Sequence, residues 1–369
     1  MTETPQDTPD RLDRQEAFSG TKAASGALSL DEAKLSAFLS GAISGFSGPV
    51  EARQFKGGQS NPTYLLTAGS GRYVLRRKPP GKLLPSAHAV DREYRVLKAL
   101  GDAGFPVPHV HVLCEDDNII GSMFYVMDHV DGRIFWEPQM PASTSKERAG
   151  VFAAMNATMA KLHSFDPAAI GLSEYGRPTG YVARQVKRWS EQYRASQTAD
   201  IADMNRLITW LPDNLPAEPA PAVVHGDYRL DNLILAPDRP EVLAVLDWEL
   251  STLGDPLGDF TYHLMQWVMP PSDDGSGTGS LVGHDLDALG IPSMERYIEL
   301  YCTARGIGGI PALDTYLAYN FFRIAAILQG IVGRVRDGTA TNANAARMAT
   351  QVAPLAETGW RFAERAGAR

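Results

Sequence analysis

The chain has 369 residues, of which 44% are hydrophobic and 21% charged, and its formal net charge is −8. This length fits one large two-lobed unit or two ordinary domains, and the negative charge disfavours nucleic acid as a partner. Cys114 and Cys302, the two cysteines, lie far apart and outside any CxxC or Cys/His cluster. Their placement excludes a disulfide framework and a zinc site and favours a reducing, cytoplasmic setting. No apolar stretch reaches the roughly 20 residues that a membrane span needs, so we expect a soluble protein without a membrane partner.

The first part of the chain predicts strands and two helices. Residues 1–28, rich in Thr, Asp, Gly and Ser, are expected to form a disordered tail. Ser29-Leu-Asp-Glu has the form of a capping box, and the apolar spacing after it predicts a helix. Turn residues separate apolar runs over 55–78, which predicts antiparallel strands. A second helix over 86–100 and a strand over 123–130 are predicted to follow.

From about residue 146 the pattern becomes mostly helical. Apolar stripes predict helices around residues 152–162 and 182–193. Short strand-like runs interrupt the helices at 221–225, 233–236 and 242–247. Three further helices are predicted over 292–369, after a Gly- and Ser-rich segment at 270–280 that is typical of a mobile loop.

The strongest chemical pattern is His225-Gly-Asp-Tyr-Arg-Leu-Asp-Asn232, followed by Leu246-Asp247-Trp-Glu249. Asp227 and Asn232 are five residues apart, and Asp247 ends an apolar strand. Phosphoryl transfer needs one carboxylate to orient and deprotonate the attacking hydroxyl. It also needs oxygen ligands, such as an amide and a second carboxylate, to hold magnesium against the phosphates. The spacing therefore predicts a site for phosphoryl transfer.

These motifs resemble those of the aminoglycoside phosphotransferase and choline kinase family, small-molecule kinases with a protein-kinase-like fold. The resemblance implies a two-lobed α+β protein. Residues 29–131 would form a nucleotide-binding lobe of antiparallel sheet and helix, and residues 132–369 a larger, mainly helical catalytic and substrate lobe. It further implies ATP and Mg²⁺ as cofactors, Asp227 as the catalytic base, and Asn232 and Asp247 as metal ligands. His225 is expected to have a structural role.

The resemblance extends to the nucleotide site and covers roughly residues 30–265. The implied phosphate-binding strand residue is Arg76, and Glu93 on the following helix is its implied acidic partner. The implied adenine hinge contains Met127 and His129. The implied phosphate-covering loop contains Gly57, Gly58, Ser60 and Asn61. Most relatives have Lys where this chain has Arg76, and strand alternation places Lys78 on the same face. Lys78 therefore remains an alternative to Arg76.

Other positions depart from the protein-kinase pattern. Gly226 replaces the Arg that reads a phosphorylated activation loop, and Trp248-Glu249 replaces the Phe-Gly of the metal motif. A protein substrate and regulation by loop phosphorylation are therefore not expected. Asp259 is expected to cap a helix or to support the catalytic loop. Asp255 and Glu249 are candidates for contact with the substrate or with the ligands of the metal.

The phosphoryl acceptor stays open between two chemical classes. Residues 170–369 carry most of the negative net charge, which suits a cationic acceptor such as an aminoglycoside or choline. Arg184, Lys187 and Arg188 lie on one side of a predicted helix, which either favours an anionic acceptor or is a solvated face. Arg229 is a further substrate candidate.

The segment Val74-Leu-Arg-Arg-Lys-Pro-Pro-Gly, together with the two motifs, closely resembles the branch whose animal members are fused to acyl-CoA dehydrogenase domains. That branch implies a hydroxyacyl-CoA or a similar hydroxy acid derivative as the acceptor. A nucleotide-binding regulatory pseudokinase is the alternative function. The presence of Asp227, Asn232 and Asp247 together argues against it, because a binder needs no base beside its metal ligands.

Overall fold

A computed structural model describes residues 19–56, 61–80, 89–271, 279–338 and 345–369. The predicted loop residues Gly57, Gly58 and Ser60 lie outside these ranges, as does most of the segment 270–280. The predicted helix over 86–100 is described from residue 89 onward.

The first lobe is built on a six-stranded antiparallel sheet with the strand order β1-β2-β3-β4-β6-β5. The hairpin predicted over 55–78 is confirmed, because β3 pairs with β4 and Thr63 lies opposite Arg76. The strands are β1 (Thr21–Ala23), β2 (Glu51–Phe55), β3 (Thr63–Ala68), β4 (Gly71–Arg77), β5 (Val110–Cys114) and β6 (Phe124–Asp128). Its helices are α1 (Glu32–Ala42), α2 (Val90–Asp102) and the short α3 (Asp117–Ile120).

Two predictions near the N-terminus are wrong. Strand β1 pairs with β2, so residues 21–23 are part of the sheet and not of a disordered tail. An edge strand offers free N–H and C=O groups to any extended segment, which composition does not reveal. Helix α1 begins after Asp31, whose carboxylate accepts a hydrogen bond from the Lys34 N–H at 3.0 Å. Ser29 does not cap it, because the helix begins at Glu32 and Ser29 instead ends a preceding 3₁₀ turn.

The two faces of the sheet bury different residues. One face packs against α1 and buries Leu75 with Leu35 and Leu39. The opposite face carries Val74, which belongs to the core that continues into the second lobe. Since successive strand residues point to opposite faces, Arg76 shares the face of Val74. The predicted phosphate-binding residue therefore points toward the second lobe.

The second lobe is mainly helical, and the predicted α+β two-lobed architecture is confirmed. Two short antiparallel pairs of strands lie among the helices, β7 with β10 and β8 with β9. The predicted apolar stripe over 152–162 is fully buried. The exact lobe boundary at residue 131 stays a prediction. The elements are α4 (Ser145–Leu162), α5 (Tyr181–Ser196), α6 (Ala202–Trp210), β7 (Ala222–Val224), β8 (Leu233–Leu235), β9 (Val242–Val245), β10 (Thr252–Gly254), α7 (Pro256–Leu264), α8 (Leu286–Leu289), α9 (Met294–Arg305), α10 (Leu313–Arg336) and α11 (Ala345–Arg365).

Gly132 lies where the segment after β6 crosses strand β8. A Cβ atom at this position would come within 2.4 Å of Ile234 Cγ2 and 2.5 Å of the Leu235 carbonyl oxygen. The next residue, Arg133, exchanges two backbone hydrogen bonds with Leu235, at 2.8 and 2.9 Å. Only glycine permits this approach, which fixes the connecting segment against the second lobe.

Cys114 and Cys302 are buried and form no disulfide. Within the part of the chain that the structure describes, no helix is both long enough and apolar enough to cross a bilayer. The cytoplasmic setting stays a prediction.

Candidate active site

The loop 225–232 connects β7 to β8, and the pairing of β8 with β9 brings the two predicted metal ligands together. Leu233 lies opposite Val245, and the Leu246 N–H donates to the Asn232 carbonyl oxygen at 2.8 Å. Asn232 and Asp247 consequently line the same cleft. Residues that are 15 positions apart thus become neighbours through one hairpin.

Asp259 on α7 holds the start of this loop. Its buried carboxylate accepts hydrogen bonds from the N–H groups of His225, at 2.7 Å, and Gly226, at 2.8 Å. The same carboxylate contacts His163 Nε2 at 3.2 Å. Of the two roles expected for Asp259, the geometry matches support of the catalytic loop.

Asp255, not Asp259, caps helix α7. Its carboxylate accepts from the N–H groups of Leu257 at 2.8 Å and Gly258 at 3.1 Å, and Tyr316 Oη donates to it at 2.6 Å. This corrects the suggestion that Asp255 contacts substrate or metal ligands, because the buried carboxylate is committed to the helix N-terminus.

His225 joins the catalytic loop to the segment that carries Asp247. Its Nδ1 accepts from the Asp227 N–H at 3.2 Å, which leaves Nε2 to donate to the Leu246 carbonyl oxygen at 2.8 Å. The ring centroid lies 4.8 Å from that of Trp248. His225 therefore has the structural contacts that the resemblance implies.

Gly226 has a backbone requirement that explains one departure from the protein-kinase pattern. Its φ is +84°, and a Cβ atom would lie 3.0 Å from both the Cβ and the carbonyl oxygen of Leu250. A larger residue is disfavoured by conformation and by space. The arginine of protein kinases does not fit here.

Asp227 contacts two predicted site residues, Arg229 and Asn232, and also Tyr262, which sequence reasoning did not place there. Tyr262 Oη donates to Asp227 Oδ1 at 2.8 Å, and Arg229 Nε lies 3.2 Å from the same oxygen. Asn232 Nδ2 donates to the Asp227 carbonyl oxygen at 2.9 Å. Burial, together with the charge of Asp227, raises the pKa of Tyr262 well above its usual range, so its hydroxyl remains a donor.

Arg323 on α10 completes the support of the loop. Its Nη2 donates to the Gly226 carbonyl oxygen at 2.8 Å, and its guanidinium carbon lies 4.9 Å from the centroid of the Tyr262 ring. Sequence reasoning missed both residues. Arg323 had one visible signal, since it is a charged residue inside the apolar segment 319–333.

Arg76 lies between carboxylates of both lobes. Its Nε is 2.8 Å from Glu93 Oε2, and its Nη2 is 2.7 Å from Asp247 Oδ1 and 3.4 Å from Glu249 Oε2. Burial acts to lower the pKa of Arg76, but the nearby carboxylates outweigh this effect and raise it. The predicted pairing of Arg76 with Glu93 is present in the structure.

Glu93 is in turn held by two buried donors, Asn61 Nδ2 at 2.7 Å and Tyr125 Oη at 3.1 Å. Asn61, expected in the phosphate-covering loop, is thus committed to Glu93. Lys78 lies just beyond the end of β4, and its Nζ is 3.8 Å from Asp91. The geometry therefore favours Arg76 over Lys78 as the residue that faces the cleft.

We expect Arg76→Ala to weaken nucleotide binding by about 10- to 100-fold, because a charge-assisted phosphate contact is lost and Glu93 is left unpaired. Lys78→Ala is the matched control, and its affinity should stay close to that of the wild type. Titration of ATP–Mg²⁺ into each variant measures the two affinities. A loss confined to Lys78→Ala would contradict the assignment of Arg76.

Met127 and His129 border an open cleft of about 1290 Å³. Apolar side chains, among them Val74, Leu97 and Leu246, form much of its lining. Burial lowers the pKa of His129, and the charge of Arg72 adds to this shift. A cleft with apolar walls at one end and Arg76 with Asp247 at the other can accept a molecule that is flat at one end and anionic at the other.

Asn232 and Asp247 have the donor chemistry of a magnesium site. The Asn232 amide nitrogen is committed to the Asp227 carbonyl oxygen, which leaves its side-chain oxygen as a ligand. Asp247 has a φ of +64°, and its carboxylate is 36% exposed. Among the residues that the structure describes, no group of three or more His, Cys, Asp or Glu could hold a metal. One carboxylate and one amide instead fit a cation that takes its other ligands from phosphates and water.

The basic substrate candidates divide into two groups. Arg184 and Arg188 lie on α5, where Arg184 Nη2 donates to the Arg177 carbonyl oxygen at 2.9 Å and the Arg188 guanidinium carbon lies 5.1 Å from the Trp189 ring. Neither is among the residues that line the cleft.

Arg229, in contrast, lies within the site, with its Nη2 3.1 Å from Asp231 Oδ2. It lines a second, small cavity, which shares Trp136 and Asp231 with the cleft. The lining of this cavity is partly apolar and includes Pro138, Met265, Met269 and Ile324.

Comparisons with known proteins agree with this geometry. The model of the phosphotransferase enzyme family matches residues 51–300. Acyl-CoA dehydrogenase family member 10 of Mus musculus is 44% identical over 346 residues, which cover 93% of this chain and 32% of that protein. The chain thus spans about a third of the length of this curated relative, and the predicted family resemblance is confirmed.

Solved structures show the same fold. A Ralstonia eutropha protein, provisionally assigned as an aminoglycoside phosphotransferase, is 44% identical with a TM-score of 0.83, covering 91% of this chain and 99% of that one. Choline kinase from Cryptosporidium parvum has a TM-score of 0.58 at 12% identity, with coverage of 91% and 97%, and shares the fold. The chain therefore belongs to the phosphotransferase enzyme family, which confirms the predicted enzyme class, a phosphotransferase with a hydroxyl acceptor.

Proposed function

We propose that the protein is an ATP- and Mg²⁺-dependent kinase that transfers the γ-phosphoryl group to a hydroxyl of a small molecule. The observation that carries this proposal is that Arg76, Asn232 and Asp247 line one cleft, and that Asn232 Nδ2 donates to the Asp227 carbonyl oxygen at 2.9 Å. An aminoglycoside phosphotransferase with the same fold, at a TM-score of 0.55 and 16% identity, was solved with ADP and hygromycin B. That complex supports a nucleotide in the cleft of this chain.

Each residue has a defined role in this proposal. Met127 and His129 border the adenine, and Arg76, held by Glu93, binds the phosphates. Asn232 and Asp247 hold Mg²⁺, which supplies positive charge to the phosphates when bound. Asp227 orients the acceptor hydroxyl and takes its proton.

The acceptor is proposed to bind along the residues of the second cavity, since this cavity shares Asp231 with the cleft and is lined by Arg229, which contacts Asp227. Its apolar side chains suit an acceptor with a hydrocarbon part, and Arg229 suits an acyl or carboxyl oxygen. These features favour a hydroxyacyl-CoA or a similar hydroxy acid derivative over an aminoglycoside.

A panel of acceptors tests this function. We expect ADP release with hydroxyacyl-CoA at a kcat/KM at least about 100-fold above that with an aminoglycoside or choline, because the apolar side chains beside the site suit a hydrocarbon part and not a hydrated cation. Asp227→Asn is the control for background ATP hydrolysis. Preferred turnover of an aminoglycoside would contradict the acceptor class. Binding of ATP without turnover of any hydroxyl compound would favour the pseudokinase alternative.

The panel also tests whether the basic face of α5 contacts the acceptor. If Arg184 and Arg188 bind an anionic group, the double variant Arg184→Glu/Arg188→Glu should raise the KM for hydroxyacyl-CoA, and added salt should weaken the wild-type interaction. The KM for ATP serves as the internal control. An unchanged acceptor KM would identify this face as solvated, in line with the position of both residues outside the lining of the cleft.

A further inference from the structure

Arg92 neighbours Glu93 on α2, but its side chain reaches the second lobe. Its Nη2 donates to the Tyr175 carbonyl oxygen at 2.8 Å and lies 3.5 Å from the Ser251 carbonyl oxygen. The guanidinium carbon lies 4.5 Å from the centroid of the Tyr175 ring. A single arginine thus links α2 to two separate segments of the second lobe.

These segments are themselves joined by buried hydroxyl groups. Ser251 Oγ donates to the Trp248 carbonyl oxygen and so accepts the hydrogen bond from Tyr175 Oη. Ser251 is 3% exposed and Tyr175 is 1% exposed. Together they fix the 3₁₀ turn Trp248–Leu250, which begins directly after Asp247.

The contacts of Arg92 close a ring around the proposed phosphate site. Glu93 on α2 pairs with Arg76, and Arg76 pairs with Asp247. Asp247 directly precedes the turn that Ser251 and Tyr175 fix. Arg92, which belongs to α2, contacts the Ser251 carbonyl oxygen and so connects this turn to α2. The positions of the phosphate-binding arginine and of the metal-binding carboxylate are therefore coupled through α2.

We propose that Arg92 is a positioning residue that holds α2 against the turn after Asp247 and thereby sets the distance between Arg76 and the metal site. This inference rests on the proposed roles of Arg76 and Asp247. The planar fork of arginine can serve two carbonyl oxygens while its face stacks on an aromatic ring, which a lysine cannot do. Arg92 itself touches neither the proposed nucleotide cleft nor Asp227 in the contacts described.

The test compares Arg92→Met and Arg92→Lys with Arg95→Met, a matched control one turn further along α2 that also removes an exposed arginine. Mn²⁺ is titrated into each protein with saturating ADP, and kcat, both KM values and Tm are measured. We expect Arg92→Met to weaken Mn²⁺ binding and to lower kcat by about tenfold each, as for loss of a charge-assisted hydrogen bond. The acceptor KM and Tm should stay near the wild-type values. Arg92→Lys should recover part of the loss, because an ammonium group keeps one carbonyl contact.

Three results would overturn the inference. The first is Mn²⁺ affinity and kcat of Arg92→Met within about twofold of the wild type. The second is an equal loss in Arg95→Met, which would indicate a general effect of charge. The third is a lower Tm and active fraction with unchanged Mn²⁺ affinity, which would indicate a role in stability alone.

The metal titration separates this inference from the proposed function. If the wild type binds ADP and Mn²⁺ but turns over no tested acceptor, the effect of Arg92→Met on Mn²⁺ affinity still decides the role of Arg92. If the wild type binds neither, the proposed function is contradicted, and the positioning role is overturned with it.

Discussion

Asp227→Asn is expected to lower phosphoryl transfer by about 10²-fold or more, because an amide cannot take the proton of the acceptor hydroxyl. The amide oxygen can still accept the hydrogen bond that Tyr262 Oη makes to Asp227 Oδ1 at 2.8 Å. Asn232 binds the carbonyl oxygen of residue 227, which the substitution does not alter. The loop and the nucleotide site should therefore remain intact, and the loss should fall on kcat. Steady-state kinetics and ADP titration measure the two quantities.

Tyr262→Phe is the matched control for this variant. It removes the hydrogen bond to Asp227 but leaves the carboxylate in place, so its loss of kcat should stay below about tenfold. Equal losses in the two variants would show that the orientation of residue 227 by Tyr262, and not proton abstraction by its carboxylate, limits turnover. Near-wild-type turnover by Asp227→Asn would remove Asp227 from the role of base.

The local pattern of the sequence predicted the strands and most of the helices that carry the site. Alternation in β4 correctly placed Arg76 with Val74, but it placed Lys78 on the same face and could not separate the two candidates. The tertiary structure separates the two candidates, because Lys78 lies just beyond the end of β4 and its Nζ is 3.8 Å from Asp91. A rule with a period of two cannot report where a strand ends.

Tyr262 and Arg323, which support Asp227 and its loop, were beyond prediction for a related reason. Tyr262 follows its partner Asp227 by 35 positions, and Arg323 follows its partner Gly226 by 97 positions. No local pattern of the sequence connects either residue to the loop.

Asp255 and Asp259 differ in this respect within a single helix. Pro256 at the first helical position marks Asp255 as the cap of α7, which a local pattern can show. Only the packing of α7 against the loop shows that Asp259 supports the loop.

Asp259→Asn is expected to destabilise the fold by about 3–5 kcal/mol, the usual result of breaking a buried charged interaction by removing one partner. The carboxylate accepts from two backbone N–H groups and contacts His163, and all three are buried. An amide has one acceptor oxygen, so its NH₂ group must face another donor. Because these N–H groups belong to His225 and Gly226, the variant should also lose kcat through displacement of Asp227. Denaturant unfolding and kinetics measure both effects.

Asp255→Asn provides the control for a general effect of α7 stability. It keeps an N-cap acceptor, because asparagine caps a helix about as well as aspartate, but it alters the buried hydrogen bond with Tyr316 at a cost of about 1 kcal/mol. The catalytic loop is left untouched. We therefore expect a lower free energy of unfolding with nearly normal kcat. An equal loss of kcat in both variants would show that α7 acts on the loop only through its stability.

The pH dependence of unfolding separates the two carboxylates further. Burial acts to raise the pKa of Asp259, but the hydrogen bond and charge of His163, with the backbone N–H groups, outweigh it and lower the pKa. Its stabilisation is thus complete above the unfolded-state pKa and is lost as the pH falls through the folded-state value. The difference in free energy of unfolding between wild type and Asp259→Asn should therefore shrink below about pH 4. Burial raises the pKa of Asp255, so acidification favours the folded state through that group, and its variant should show no such convergence with the wild type.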